Sequence, residues 1–511
     1  MDRGLVWRGP QMGFARLFRL TDMSEHVVPG TRKLAVSHAA MPWLVAAGVY
    51  GLLMILGPRL LADPDTYSHI ALGRWIFEHQ GVPTVDPFSQ TMRGEHWVAF
   101  EWLSQVIYAG ALSLGGWTGV VAVAAAGAAA TFGLLTRFLL REWQPVPVLI
   151  AVLAAFVLTS PHILARPHIL AMPIMVAWVA SLIRAIDERR TPSWHLLPLM
   201  TLWANLHGSF TFGLAMVGAT ACDALWNAPA SQRFHVARHW VLFGLLALAA
   251  ACINPYGPEM ILVTFRTIAL GQALQIITEW RPQDFSHLGA FEIIMLAGFG
   301  YALLRGVKLP VLRLVMLFGV LHLALSQSRQ ADLLGLLAPL FLARPLAEQF
   351  AAVAARRTVA TDARFANWAA AGAGLVLLTV TGFAASRHDM MPPADITPAN
   401  AIKSIDLAKN GPILSDYGFG GYMDFIGIAP FIDGRTELYG ADFTVRYDRA
   451  LKLENLRDFL RLLAEYNIGT TLLSPQTPAV ALLDRLPDWQ RTYSDDVAVV
   501  HTRRVPLTPK K

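Results

Sequence analysis

Charged residues are scarce in this sequence. Only 15% of its 511 residues are Asp, Glu, Lys or Arg, whereas a soluble globular chain carries about 25%. With 54% hydrophobic residues, that deficit excludes an ordinary soluble enzyme along most of the length. Cysteine is nearly missing. Cys222 and Cys252 both stand in apolar stretches, which excludes a disulfide framework. The net charge is +6, yet Lys and Arg stand in short loops between apolar runs. Nucleic acid is therefore not an expected partner. No internal repeat occurs, and no low-complexity tract beyond an Ala-rich stretch near 121–130. The first apolar run, about twenty residues without a convincing A-x-A site, is too long for a signal-peptide core and reads as a retained span.

The charges that do occur are unevenly placed. Residues 387–511 hold 31 of the 78 charged side chains and residues 1–386 hold the other 47. The expected organisation is a tail at 1–38, a polytopic α-helical membrane domain at 39–386 and a soluble α/β domain at 387–511. Crossing about 30 Å of hydrocarbon takes roughly 17–25 mostly apolar residues. Eleven runs qualify: 39–61, 117–138, 145–161, 168–186, 194–207, 209–228, 239–253, 289–305, 309–326, 330–346 and 365–386. The apolar stretch 101–114 opens with Glu101 and carries Ser104, Gln105 and Ser113, which suits an interfacial helix better than a span.

Basic residues orient these spans. With the N-terminus cytoplasmic, inner loops hold twenty Lys and Arg, among them Arg137, Arg141, Arg184 and Arg190, against seven outside. Eleven spans then put residues 387–511 on the periplasmic or extracellular side, and a cell inner (plasma) membrane is the expected location. The outer loops, chiefly 62–116 and 254–288, carry the unusual polar residues. Polar groups at membrane depth are costly unless they share a wet cavity, so one outer cavity is expected. In the soluble part, 399–409 and 455–465 read as helices, and 412–415, 430–433, 469–474 and 497–502 as strands.

The first outer loop opens Asp63-Pro64-Asp65-Thr66-Tyr67-Ser68-His69. Asp65 and His69 are four apart, on one face of a helix starting near Thr66. Two carboxylates with an imidazole can hold a divalent cation, Mg or Mn, through Asp63, Asp65 and His69, or accept a proton from an attacking hydroxyl. Asp65 can also act simply as a helix cap. Arg166 precedes Pro167 and His168 at an outer turn, and Arg329 lies in another. A guanidinium fork suits phosphate oxygens.

The first loop, with Gly81-Val82-Pro83 and the entry through Glu101 into the next helix, resembles that of GT-C glycosyltransferases such as protein O-mannosyltransferases and aminoarabinose transferases. Tyr67, Ile70, Ala71, Gly81 and Glu101 match the pattern, and Asp63 falls on its acidic position. Pro64 replaces the second acid of the mannosyltransferase version. Ser415-Asp416-Tyr417-Gly418 and Phe431-Ile432-Asp433-Gly434-Arg435-Thr436 are similar to the start of the soluble domain in oligosaccharyltransferase catalytic subunits. Thr278-Glu279-Trp280-Arg281-Pro282 is similar to their loop carrying a mobile glutamate. Two departures stand out: Leu414 and Ser415 replace a Trp pair, and Arg166-Pro167-His168 lies near where a second acidic motif is found.

The resemblance implies an inverting glycosyltransferase with Asp63, Asp65, Glu101 and Glu279 in catalysis. Arg166, His168 and Arg329 would sit at the donor phosphate. Asp416, Tyr417, Asp433 and Arg435 would lie on the acceptor side. Donor and acceptor would be a polyprenyl-phosphate-linked sugar and a glycan, lipid or protein. The alternatives are an oligosaccharyltransferase-like protein glycosylation enzyme, and a non-catalytic lipid-linked glycan transporter or assembly subunit. Transporters often carry inverted repeats, and none is found here.

Overall fold

The computed structural model describes residues 39–355, 363–387, 390–407 and 411–504. The expected cytoplasmic tail 1–38 lies outside the described residues. Among the described residues thirteen α-helices come first: α1 (Met41–Leu56), α2 (Asp65–His79), α3 (Trp102–Leu139), α4 (Pro145–Thr159), α5 (Pro167–Asp187), α6 (Leu197–Leu206) and α7 (Phe210–Trp226), then α8 (Arg233–Ala251), α9 (Glu259–Ala269), α10 (Ala290–Arg305), α11 (Val311–Ser326), α12 (Ala331–Gln349) and α13 (Ala363–Arg387).

Every one of the eleven apolar runs falls on a helix. Among the described residues, six helical stretches are long and apolar enough to cross a bilayer: Met41–Leu61, Trp102–Leu139, Pro145–His162, Pro167–Asp187, Ala230–Ala251 and Asn367–Arg387. The chain is a multi-pass membrane protein. The other five runs fall short for local reasons. α6 has ten residues, about 15 Å of rise. α7, α10 and α11 have 16 or 17 residues, and α12 carries Asp332, Arg344, Glu348 and two prolines.

α3 breaks at Gly115 and Gly116, where Gly116 takes φ +58° and ψ −156°. This left-handed turn is open to glycine without steric cost. It separates 102–114 from the expected span 117–138. The first part lies against α2 so closely that a Cβ on Gly73 would fall 2.1 Å from the Gln105 carbonyl oxygen. α5 runs through the centre, with Trp178, Val179 and Leu182 fully buried and the Trp178 indole donating to the Gly213 carbonyl at 3.0 Å.

The C-terminal part is built on a four-stranded sheet of β1 (Ile413–Ser415), β2 (Thr470–Leu473), β3 (Trp489–Ser494) and β4 (Val499–Arg503), in the order β1-β2-β4-β3. β1 and β2 pair in parallel with Leu414 opposite Thr471; the other pairs are antiparallel. Both parallel strands are buried on both faces, as parallel strands covered on two sides must be. Leu414 and Leu473 point into a core with Phe431, Phe459 and Leu463, while Ile413 and Leu472 point into another with Phe419 and Met423. Around the sheet lie α14 (Ala399–Lys403), α15 (Gly420–Phe425), α16 (Thr436–Leu451), α17 (Leu456–Glu465) and α18 (Pro478–Leu483). α17 occupies the expected helix 455–465, with the Asn455 side chain accepting from the Arg457 N–H as its cap.

The expected strand 430–433 is absent. Its backbone groups have other partners: the Gln90 N–H and the Thr91 hydroxyl donate to the Pro430 and Phe431 carbonyls, and the Phe431 N–H donates to Ser415 Oγ. This segment thus docks the first loop instead of joining the ladder. Aromatic packing adds a second seam. Tyr67 of α2 meets Trp117, Tyr422 and Phe425 edge-on at 5.1–5.3 Å between ring centres. Arg74 lies over the Phe425 ring at 4.3 Å.

Candidate active site

Pro167 sets the site's centre. The residue before a proline is held extended, and Arg166 takes φ −119° and ψ 159° at the entrance to α5. Its carbonyl accepts from Tyr108 Oη at 3.0 Å. The preceding turn is pinned too, with the Ala165 carbonyl accepting from Thr66 Oγ1 at 3.2 Å. The Arg166 side chain therefore projects beside the start of α2. Its Nε meets Asp63 Oδ2, its Nη2 meets Asp65 Oδ2 at 2.9 Å and its Nη1 meets Glu279 Oε1 at 2.7 Å. Three carboxylates from two loops converge on one guanidinium.

Asp63 is 3% exposed, and its other oxygen serves the backbone: Oδ1 accepts the Asp65 N–H at 2.9 Å. It is Asp63 that holds the first turn of α2 in this way, which leaves the Asp65 side chain free for Arg166. Glu279 is shared. Arg329 Nη1 reaches its Oε1 at 3.3 Å while stacking over Trp280 at 4.7 Å. Ser328 Oγ donates to the Glu279 carbonyl at 3.1 Å, and the Ser328 N–H to the Arg281 carbonyl at 2.8 Å, so the 278–281 turn and the 328–330 turn are tied together.

These groups line a cavity of about 790 Å³, within the size range of small-molecule sites. Glu101, His69, His168 and His207 form another wall. Glu101 lies 3.3 Å from His207 Nε2 and 3.8 Å from His69 Nδ1. His69 also faces Gln105 Nε2 at 3.3 Å, and His168 Nε2 faces the His162 carbonyl at 2.9 Å. The third wall comes from the C-terminal part. Gly421 and Gly434 allow it to approach, because a Cβ on Gly421 would lie 2.6 Å from the Pro64 carbonyl oxygen and one on Gly434 2.4 Å from Asp65 Oδ1.

Charge in the cavity is finely divided. Burial pushes Asp65 up to about 7, Arg166 pulls against it, and Asp63 and Glu279 add to the rise. Burial and the Glu437 carboxylate push Glu101 up to about 8, against Arg329 and Arg166. For Glu279 burial acts upward as well, but Arg166 and Arg329 outweigh it and hold the group down at about 2. Near neutral pH the site therefore holds an ionised Glu279, a protonated Glu101 and an Asp65 poised between the two states.

The side chains expected to hold a cation, Asp63, Asp65 and His69, do not converge on one point. Among the described residues no three His, Cys, Asp or Glu side chains form a metal-binding group. Arg166 stands between Asp63 and Asp65, and His69 turns to Glu101 and Gln105.

The acceptor-side expectations divide. Tyr417 and Arg435 line the cavity. Tyr417 Oη donates to the Gly434 carbonyl at 3.3 Å and lies 2.9 Å from Thr436 Oγ1. Asp433 is fully buried behind Arg435, which it binds at 2.5 Å, and accepts from Tyr439 Oη at 2.8 Å. Asp416 is not among the lining residues. Its Oδ1 accepts the Gly418 N–H at 3.0 Å, a cap on the turn Tyr417–Phe419, because its short side chain finds that backbone donor first. Sequence reasoning missed Asp86, which binds Arg435 at 2.7 Å and the Ser89 N–H at 3.0 Å. It also missed Glu437, which accepts from the Trp97 indole at 3.1 Å, and Asp424. Neither Asp86 nor Glu437 stands in a motif, and their partners come from the docking of the first loop on the C-terminal part.

No protein-family model matches the chain, and no curated protein does. Among solved structures, the chain is similar to the oligosaccharyltransferase AglB of Archaeoglobus fulgidus in complex with an inhibitory peptide and a dolichol-phosphate. The identity is 13%, over 86% of this chain and 69% of that one, with a TM-score of 0.51. It is also similar, at 14% identity over 93% of this chain and all of that one, to ArnT of Cupriavidus metallidurans bound to undecaprenyl phosphate, with a TM-score of 0.41. The likeness to AglB is one of fold, and it spans the membrane helices and the C-terminal part of this chain.

Proposed function

We propose that this GT-C-fold chain is a membrane glycosyltransferase. It would move a sugar from a polyprenyl-phosphate-type donor to an acceptor hydroxyl or amide outside the cytoplasm. One observation carries the reading: Arg166 gathers Asp63, Asp65 and Glu279 from two loops in one cavity of about 790 Å³. A purely structural ion pair needs one carboxylate. Three around one guanidinium, with a fourth acid held protonated nearby, form a preorganised field of the kind that stabilises developing charge.

In this reading Asp65 takes the acceptor proton, since it titrates near neutral pH. Asp63 and Arg166 hold it in place. The leaving phosphate lies between Arg166 and Arg329, the position that Glu279 now fills. Glu279 must yield part of that position when the donor binds, which keeps the two arginines aligned until then. Tyr417 and Arg435 face the acceptor from the third wall. The distribution of Lys and Arg supports residues 387–511 lying on the outer side of the membrane.

The test is an Asp65→Asn chain expressed in a deletion strain of its host, with surface glycans and glycolipids profiled by mass spectrometry. The glycan lost on deletion should return with the wild-type chain and fail to return with Asp65→Asn at equal membrane abundance. Full restoration by Asp65→Asn would rule out the base role, and full restoration by Asp63→Asn/Asp65→Asn would favour a transporter or assembly subunit.

A further inference from the structure

A second built hollow lies at the far ends of α3 and α5. Both helices begin at the candidate active site, with Glu101 and Arg166 at their starts. α5 has 21 residues, about 30 Å of rise, which equals the hydrocarbon thickness of a bilayer. Its last turn therefore reaches the opposite leaflet. There, a cavity of about 430 Å³ is bordered by Arg137, Arg141, Arg184 and Arg190, with His195 beside them.

Its chemistry is two-sided. Leu134, Phe138, Val176 and Leu199 form an apolar wall, and the guanidinium groups form the rim. Glu188 holds Arg184 Nε and Arg190 Nε at 2.5 Å each, so that acid is already shared by two arginines. Neither Arg137 nor Arg141 has a carboxylate partner in a described ion pair, and Asp187 is taken up by Arg313. A cation in the last turn of a helix complements its dipole, which accounts for Arg137 and for Arg184 singly. It does not account for four arginines from two helices and the following turns meeting around one hollow beside an apolar wall.

We propose that this hollow binds the phosphodiester headgroup of an anionic phospholipid in the leaflet opposite the candidate active site. The phosphate oxygens would be taken by Arg137 and Arg141, and an acyl chain would lie along the Leu134–Phe138 side. Basic pockets between transmembrane helices have this affinity for anionic head groups. The forked guanidinium offers paired N–H donors to a phosphate. Glu188, already holding two arginines, has little to offer the ammonium of a zwitterionic lipid.

Native mass spectrometry of the full chain in detergent, titrated with phosphatidylglycerol or phosphatidylcholine, tests this. The wild type should retain phosphatidylglycerol preferentially. Arg137→Gln/Arg141→Gln should lower the bound fraction on the order of tenfold, whereas Arg233→Gln/Arg238→Gln, basic positions outside the hollow, should leave it unchanged. Where the glutamine pair fails to fold, Arg137→Lys/Arg141→Lys keeps the charge and drops the fork, and a clear partial loss is expected. Equal binding of the two lipids, equal loss in the Arg233/Arg238 variant, or undiminished binding in the lysine pair would overturn the assignment. So would displacement of the lipid by millimolar inorganic phosphate, which would mark a small-anion site.

Discussion

Replacing Arg166 by glutamine removes the one positive charge that Asp63, Asp65 and Glu279 share. Breaking a buried ion pair by deleting one partner costs about 3–5 kcal/mol, because it leaves charge buried and unpaired. Asp63 is almost wholly enclosed, but a third of the Asp65 side chain and a fifth of Glu279 still reach the cavity. The lower end, about 3 kcal/mol, is therefore the expectation. The sign of its pH dependence follows from proton linkage. In the wild type the folded pKa of Glu279, about 2, lies below its unfolded value, so its contribution is present above about 4.5 and fades as pH falls toward 2. Without Arg166 the buried acids must rise above their unfolded values. The variant then loses stability as pH climbs from about 4 through those raised values. Thermal unfolding in detergent should show a small Tm difference from wild type near pH 5 and a larger one near pH 8. Adding Glu279→Gln to the Arg166→Gln chain should recover part of the loss. A Tm deficit that is constant across this range, or none at all, would refute the shared-cation account.

Transfer activity should rise through about pH 7 as Asp65 loses its proton and fall above about pH 8 as Glu101 loses its own; a flat profile from pH 6 to pH 9 would exclude both groups. Gly434→Ala puts a Cβ 2.4 Å from Asp65 Oδ1, so turnover should fall on the order of a hundredfold through misplacement of the base, with the chain still folded by size exclusion. Asp416→Ala removes the turn cap and should lower stability by about 1 kcal/mol while leaving turnover per folded molecule intact. Arg435→Ala strips the buried Asp433 and Asp86 of their cation and should destabilise by about 3–5 kcal/mol, read as a fall in Tm.

The sequence made the membrane helices legible because apolar runs of this length have few other uses in water. Asp63, Asp65 and Arg166 were legible because each is an ionisable residue beside the end of an apolar run, and Glu279 because its loop resembles that of oligosaccharyltransferases. Their pairing was not. Nothing in the spacing of Arg166 from Asp63 shows that the guanidinium would stand between the two aspartates; that depends on the extended backbone before Pro167 and the Tyr108 contact. The strand expected at 430–433 is absent and Asp416 caps a turn, and both outcomes have one reason. Both were judged by local pattern, whereas their backbone and side-chain partners were decided by the first loop docking on the C-terminal part and by a nearer N–H. Asp86 and Glu437 escaped notice because burial of a loop carboxylate is a tertiary event.

The ring cluster around Tyr67 bears on how this protein can be cut or remodelled. A chain ended before residue 390 would lose Tyr422 and Phe425 from the flank of α2 and leave Tyr67 and Trp117 facing water, while Asp65 would lose the glycine-lined surface that backs it. The membrane helices and the sheet region thus share one cavity, and exchanging the C-terminal part between relatives would disturb Asp65 at the start of α2 as well as the wall that carries Tyr417 and Arg435.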